Sequence, residues 1–354
     1  MYHDTEGSAT RFPHGAFFSF TLPGQSLRLG PAVMENLPGG AGQIQTATRP
    51  ANRFYKPIQM RPYRTLLLLI VMVFLGGALL APWLYWLVQY LLPASALAHK
   101  PFHRYVDRAL LGLGLIAIWP LVRAVQAKSW RDVGLCRPSG QWGLLTTGLA
   151  LGFSSLAFVA AIAVVAGARR FNPGLHAGQF ALGILGAIGA AALVATLEEI
   201  LFRGAIFGAL RRGGSWEAAL VVSSAFYAFV HFLGRPDTAG PITWHTGLES
   251  LPGMLTNFGN LSAIPSFLNL TLAGMILGLA YHRTGNLYLS IGLHAGWIFW
   301  LKLFDLVTVS AGSGHVWLWG TEKMTDAWVT LPILLASLLL LPWLTAPREE
   351  GAAG

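Results

Sequence analysis

Long uninterrupted apolar runs decide what this chain can become. The segment TLLLLIVMVFLGGALLAPWL at 65–84 contains no charged residue. Roughly 20 such residues are what an α-helix needs to cross a hydrocarbon core about 30 Å thick. Lipid offers no partner to a backbone N–H or C=O, so each run must satisfy its hydrogen bonds internally, as a helix. Eight spans are expected, at about 65–92, 107–127, 142–167, 179–210, 216–233, 264–281, 287–307 and 327–345. With 54% hydrophobic and 11% charged residues among 354, the chain is far from soluble composition. The expected fold is an all-α polytopic membrane protein, a bundle of about eight transmembrane helices.

The net charge of +9 does not point to nucleic acid, because the cations gather at the ends of apolar runs and form no basic face interleaved with stacking aromatics. Topology and anionic lipid account for them. Arg53, Lys56, Arg61 and Arg64 precede the first span, Arg123, Lys128, Arg131 and Arg137 fill the second connection, and Arg211 and Arg212 end the fourth. Alternating spans put all of these on one side, which the positive-inside rule makes cytoplasmic, with both termini inside. Lys100, Arg104, Arg169, Arg170 and Arg235 fall opposite. Trp83, Tyr85 and Trp317 are placed to join an interfacial aromatic belt. The single cysteine, Cys136, excludes an intrachain disulfide framework and a Cys-based zinc site.

Residues 1–59, rich in Gly, Pro, Ser and Thr without helical period, read as a disordered tail. A basic flank running into an apolar helix begins at Met60, so that methionine is a candidate natural start. The membrane domain then covers 60–346, and 347–354 form a short C-terminal tail. No fixed-period repeat is evident, so neither a solenoid nor an obvious transporter-style duplication is supported.

Chemistry concentrates in three spans. The fourth carries Glu198, Glu199 and Arg203 late in an otherwise apolar helix, where ionisable groups are costly and default to function or to mutual pairing. Glu199 and Arg203 stand at i and i+4 and can pair, whereas Glu198 points about 100° away and is left for chemistry. The alternative is a helix that emerges into water here, which Arg211 and Arg212, a more natural helix end, argue against. Gly183, Gly186, Gly189 and Ala190 to Ala192 are expected to let neighbouring helices approach closely. The fifth span carries His231 and the seventh His294. Either histidine alone would be an ordinary packed residue; with an unpaired Glu on a third helix they form a set that can converge. Two chemistries fit. Glu198 can act as general base while the histidines orient water or stabilise an oxyanion. Alternatively His231, His294 and Glu198 can hold Zn²⁺ with one open position. There is no His-Glu-x-x-His, no paired membrane aspartate of the presenilin kind and no Gly-x-Ser elbow with its partners.

EEILFRG at 198–204, YAFVH at 227–231 and HAGWI at 294–298 follow one another in an order that resembles the CPBP or Abi family, intramembrane proteases related to CAAX prenyl endopeptidases and bacteriocin-processing enzymes. The resemblance covers about 142–310. It implies an endopeptidase of the bacterial cytoplasmic membrane acting on membrane-associated peptides or proteins, with its site in a cavity between helices that opens to the cytoplasm or laterally to lipid. By it, Glu198, His231 and His294 are catalytic, and Glu199 and Arg203 support Glu198. Two positions depart from the family pattern. Tyr227 stands where Phe is usual, and Ile298 replaces an Asn that polarises the substrate carbonyl or holds water; Ser290 is a candidate substitute. A non-catalytic membrane scaffold or bacteriocin-immunity-type protein retaining the polar cluster is the competing reading, which Ile298 favours. A transporter would need a polar pathway that the other spans do not supply.

Overall fold

The computed structural model describes residues 20–22, 25–27, 60–124, 129–236, 238, 240–260, 263–312, 316–320 and 324–345. Most of the proposed 1–59 tail, the 347–354 tail, Lys128 and the side chains of Arg61 and Trp317 lie outside the described residues. Within the N-terminal unit, Met1–Asn52, strands β1 (Phe20–Leu22) and β2 (Gln25–Leu27) pair antiparallel with Phe20 opposite Leu27.

The second unit, Arg53–Gly354, is helical, and its helices follow the apolar runs closely. They are α1 (Met60–Leu91), α2 (His103–Ala124), α3 (Trp142–Val165), α4 (Ala177–Gly213), α5 (Trp216–Phe232), α6 (Thr246–Met254), α7 (Ile264–Thr284), α8 (Tyr288–Val307) and α9 (Thr330–Leu344). Among the described residues six of these, α1 to α4, α7 and α8, are long and apolar enough to cross a membrane. The two remaining expected spans, α5 and α9, are shorter, at 17 and 15 residues. Large apolar side chains face outward along the helices, among them Leu68, Met72, Leu182, Leu193 and Trp343, as lipid rather than water would allow. The protein is integral to a membrane. Trp83 is 60% exposed, as a belt residue would be, but Tyr85 instead turns inward onto Phe102 and Tyr105.

The closest helix contact joins α3 to α8, and glycine makes it. A Cβ on Gly148 would collide with the Leu289 carbonyl and one on Gly152 with the Leu293 carbonyl; reciprocally, Gly292 abuts the Leu145 carbonyl and Gly296 the Leu149 carbonyl. Backbones therefore meet directly, the small-residue packing that lipid-embedded helices use in place of a hydrophobic driving force. The glycines of α4 differ from expectation. Gly186 and Gly189 face open space, Gly183 meets only the Leu306 side chain, and of Ala190 to Ala192 only Ala191 is buried. As far as Glu199, what α4 buries is an i, i+4 stripe of Ala187, Ala191, Ala195 and Glu199.

Beyond the membrane helices, β3 (Arg169–Phe171) pairs antiparallel with β4 (Thr308–Ser310), tying together the ends of α3 and α8. At the other end of α8, Gly285 adopts φ +69°, the left-handed conformation that stops α7 and reverses the chain within a few residues.

Candidate active site

The helix carrying the two glutamates changes character where they stand. Regular α-helix ends at Glu199, and Ile200–Phe207 form a π-helical segment before α-geometry resumes at Gly208. Such wide turns are rare and recur at functional sites. Periodicity gave no sign of it. One wall of the wide turn is Gly204, where a Cβ would stand 2.7 Å from the Val133 carbonyl.

Glu199 is 0% exposed and continues the buried alanine stripe. Its Oε1 accepts from Arg203 Nη1 at 2.8 Å, the i, i+4 pair expected from spacing, and also from His294 Nδ1 at 2.8 Å. Arg203, 3% exposed, donates again to the Gly274 carbonyl of α7 at 3.4 Å. Its guanidinium carbon lies 4.4 Å from the centre of the Tyr227 ring, a cation–π contact. Four helices, α4, α5, α7 and α8, are thereby joined through the Glu199–Arg203 pair.

Glu198, 21% exposed at its side chain, points elsewhere. Its Oε2 lies 3.4 Å from His231 Nε2 and 3.8 Å from His294 Nε2, and accepts no hydrogen bond among the described residues. Both rings are oriented by their other nitrogen. His231 Nδ1 is 2.9 Å from the Tyr227 carbonyl, which can only accept, so Nδ1 carries the proton. His294 Nδ1 likewise donates to Glu199. The Tyr227 hydroxyl donates to His294 Nε2 at 3.4 Å. The last turn of α5, which carries His231, is held by Asn257, whose amide donates to the Phe232 carbonyl, and by the Gly234 N–H donating to Met254.

The structure therefore brings together Glu198, Glu199, Arg203, Tyr227, His231 and His294. It assigns His294 a nearer partner, Glu199, than the carboxylate from which chemistry was expected. Ser290 does not supply a donor, because its hydroxyl donates to the Leu287 carbonyl at 3.0 Å. Ile298, one turn past His294 and partly exposed, brings no polar group. Two imidazoles and a carboxylate are the donor types that hold zinc, but among the described residues no three His, Cys, Asp or Glu side chains are arranged to hold a metal ion.

Glu198 and His231 stand in the wall of a cavity of about 350 Å³ between α1, α2, α4 and α5. Most of the lining is apolar, including Leu69, Val73, Phe74, Leu110 and Phe226. At one end Asp107 pairs with Arg235 at 3.3 Å, a feature of the wall that the sequence pattern did not single out.

Residues 178–300 match a family model described as type II CAAX prenyl endopeptidase, Rce1-like. This stretch of the chain is similar to the Rce1-like family. The matched stretch takes in the site residues discussed above, from Glu198 to Ile298, and agrees with the CPBP resemblance. That likeness, over about a third of the chain, is to intramembrane proteases of the CAAX type. No curated protein and no solved structure matches the chain.

Proposed function

We propose that this protein is an endopeptidase that hydrolyses peptide bonds of membrane-associated substrates, with Glu198 as general base. The convergence of Glu198 Oε2 with two imidazole Nε2 atoms, 3.4 and 3.8 Å away, carries the reading. With both Nδ1 atoms held as donors, the Nε2 atoms of the two rings are left facing the same region as the carboxylate. A carboxylate and two imidazoles at one region suit a water molecule, which can give one proton to Glu198 while a histidine orients it and its oxygen attacks a carbonyl. The apolar cavity beside them suits an apolar segment of substrate and limits competing water.

We take the metal-free mechanism as the working one and keep His231, His294 and Glu198 as the ligands of its metal-dependent alternative. We also place the Arg-rich α2–α3 and α4–α5 connections, and with them both termini, in the cytoplasm of a bacterial inner membrane. The buried Glu199, Arg203 and His294 network would serve a non-catalytic scaffold equally well, and Ile298 keeps that second reading in view.

Comparative mass spectrometry of membrane-protein termini separates the two. Termini present with wild type are expected to vanish with Glu198→Gln, and chelator treatment is expected to leave them forming. Identical termini in both proteins, with only abundance changed, would favour the scaffold. Loss on chelation that zinc restores would replace the metal-free mechanism.

A further inference from the structure

Addition of water to a peptide carbonyl turns its oxygen into an oxyanion, and one donor aimed at that oxygen is worth roughly 10²–10³ in rate. The donors of the buried cluster around Glu199 and His294, and those of α8 beside it, can be taken in turn. His231 and His294 spend their Nδ1 protons on the Tyr227 carbonyl and on Glu199. Arg203 is engaged by Glu199 and the Gly274 carbonyl. Ser290 donates within its own helix, and Trp297 Nε1 donates to Ser155 at 2.9 Å. Ile298 has nothing to give. The Tyr227 hydroxyl remains, 3.4 Å from His294 Nε2, a long bond that a substrate oxygen can replace at little cost.

We propose that Tyr227 is the oxyanion donor of this enzyme, filling the role that Ile298 cannot; the proposal rests on the protease reading above. The residue is held for such work. Its ring lies edge to face with Phe202 at 5.0 Å, 4.2 Å from the His231 ring and 4.4 Å from the Arg203 guanidinium, so it has little freedom to turn. The buried cation on its face draws electron density from the ring and makes the O–H a better donor.

The step balances without a further reactant. Glu198 takes a proton from water as the oxygen–carbon bond forms, and the carbonyl π pair moves onto the oxygen, which accepts a hydrogen bond from Tyr227. Collapse restores the carbonyl, breaks the carbon–nitrogen bond and passes the Glu198 proton to the leaving amine. Tyr227 keeps its proton throughout.

The test follows newly formed termini of host membrane proteins over time with wild type, Glu198→Gln, Tyr227→Phe and the double variant Tyr227→Phe with Ile298→Asn. Tyr227→Phe is expected to slow Glu198-dependent termini by about 10²–10³, with unchanged abundance and Tm. The double variant is expected to recover at least about tenfold, because the introduced amide sits one turn past His294 and restores a donor. Wild-type rates in Tyr227→Phe, with Glu198→Gln inactive, would overturn the donor role and leave the protease reading standing. Slowing that tracks a fall in Tm and resists the second substitution would make Tyr227 structural and also overturn the proposal. Absence of any Glu198-dependent terminus would remove the protease reading and this inference with it.

Discussion

Glu198 and Glu199 are consecutive, and the 100° step of a helix sends one toward the cavity and the other into the bundle. That division was legible from spacing alone, because Arg203 at i+4 could serve only Glu199. The claim His294 makes on Glu199 was not legible, since it depends on where α8 crosses α4. The two carboxylates should therefore fail differently. Glu199→Gln leaves Arg203, 3% exposed, without its counter-charge, and breaking a buried pair from one side costs about 3–5 kcal/mol. We expect a clear fall in Tm and in membrane abundance for Glu199→Gln in lipid nanodiscs. Glu198→Gln, at a carboxylate whose Oε2 accepts no hydrogen bond among the described residues, should melt with wild type. Equal melting of all three proteins would show that the buried pair contributes little.

At the scale of elements, the helix boundaries lay open in the sequence because hydrophobic run length sets them, and all eight expected spans coincide with helices to within a few residues. The glycines were harder to read. Those of α4 look like a packing motif, yet Gly186 and Gly189 face open space, while the scattered pairs Gly148 with Gly152 and Gly292 with Gly296 hold two helices backbone to backbone. Which small residues meet is a property of helix rotation, and a single helix does not encode its neighbour's rotation. The π-helical turn after Glu199 is equally silent in a periodicity count. Gly152→Ala should force α3 and α8 apart at the Leu293 carbonyl, an overpacking cost of about 1–3 kcal/mol, and shift His294 along with it. Gly186→Ala, into open space, should stay within about 0.5 kcal/mol of wild type. Thermal melting of the two variants side by side checks this, and equal Tm values would refute the backbone contact.

For the whole molecule, orientation can be read with a probe the chain already owns. Cys136 is its only cysteine and lies between α2 and α3, in the connection placed inside the cell. A membrane-impermeant maleimide should label it in inverted vesicles and spare it in intact spheroplasts; the opposite pattern would reverse the topology. The cavity has a consequence of another kind. Its lining runs along α2 from Asp107 to Leu121, roughly 20 Å at 1.5 Å per residue, about the length of an extended lipid tail. On the protease reading, a cavity of that length, walled by leucine and phenylalanine and open sideways to lipid, would be solvated by the bilayer itself. A substrate would then compete with the surrounding acyl chains for the same space. Turnover would follow the substrate's mole fraction in the membrane plane, and its concentration in the bulk aqueous phase would matter only as far as it sets that fraction.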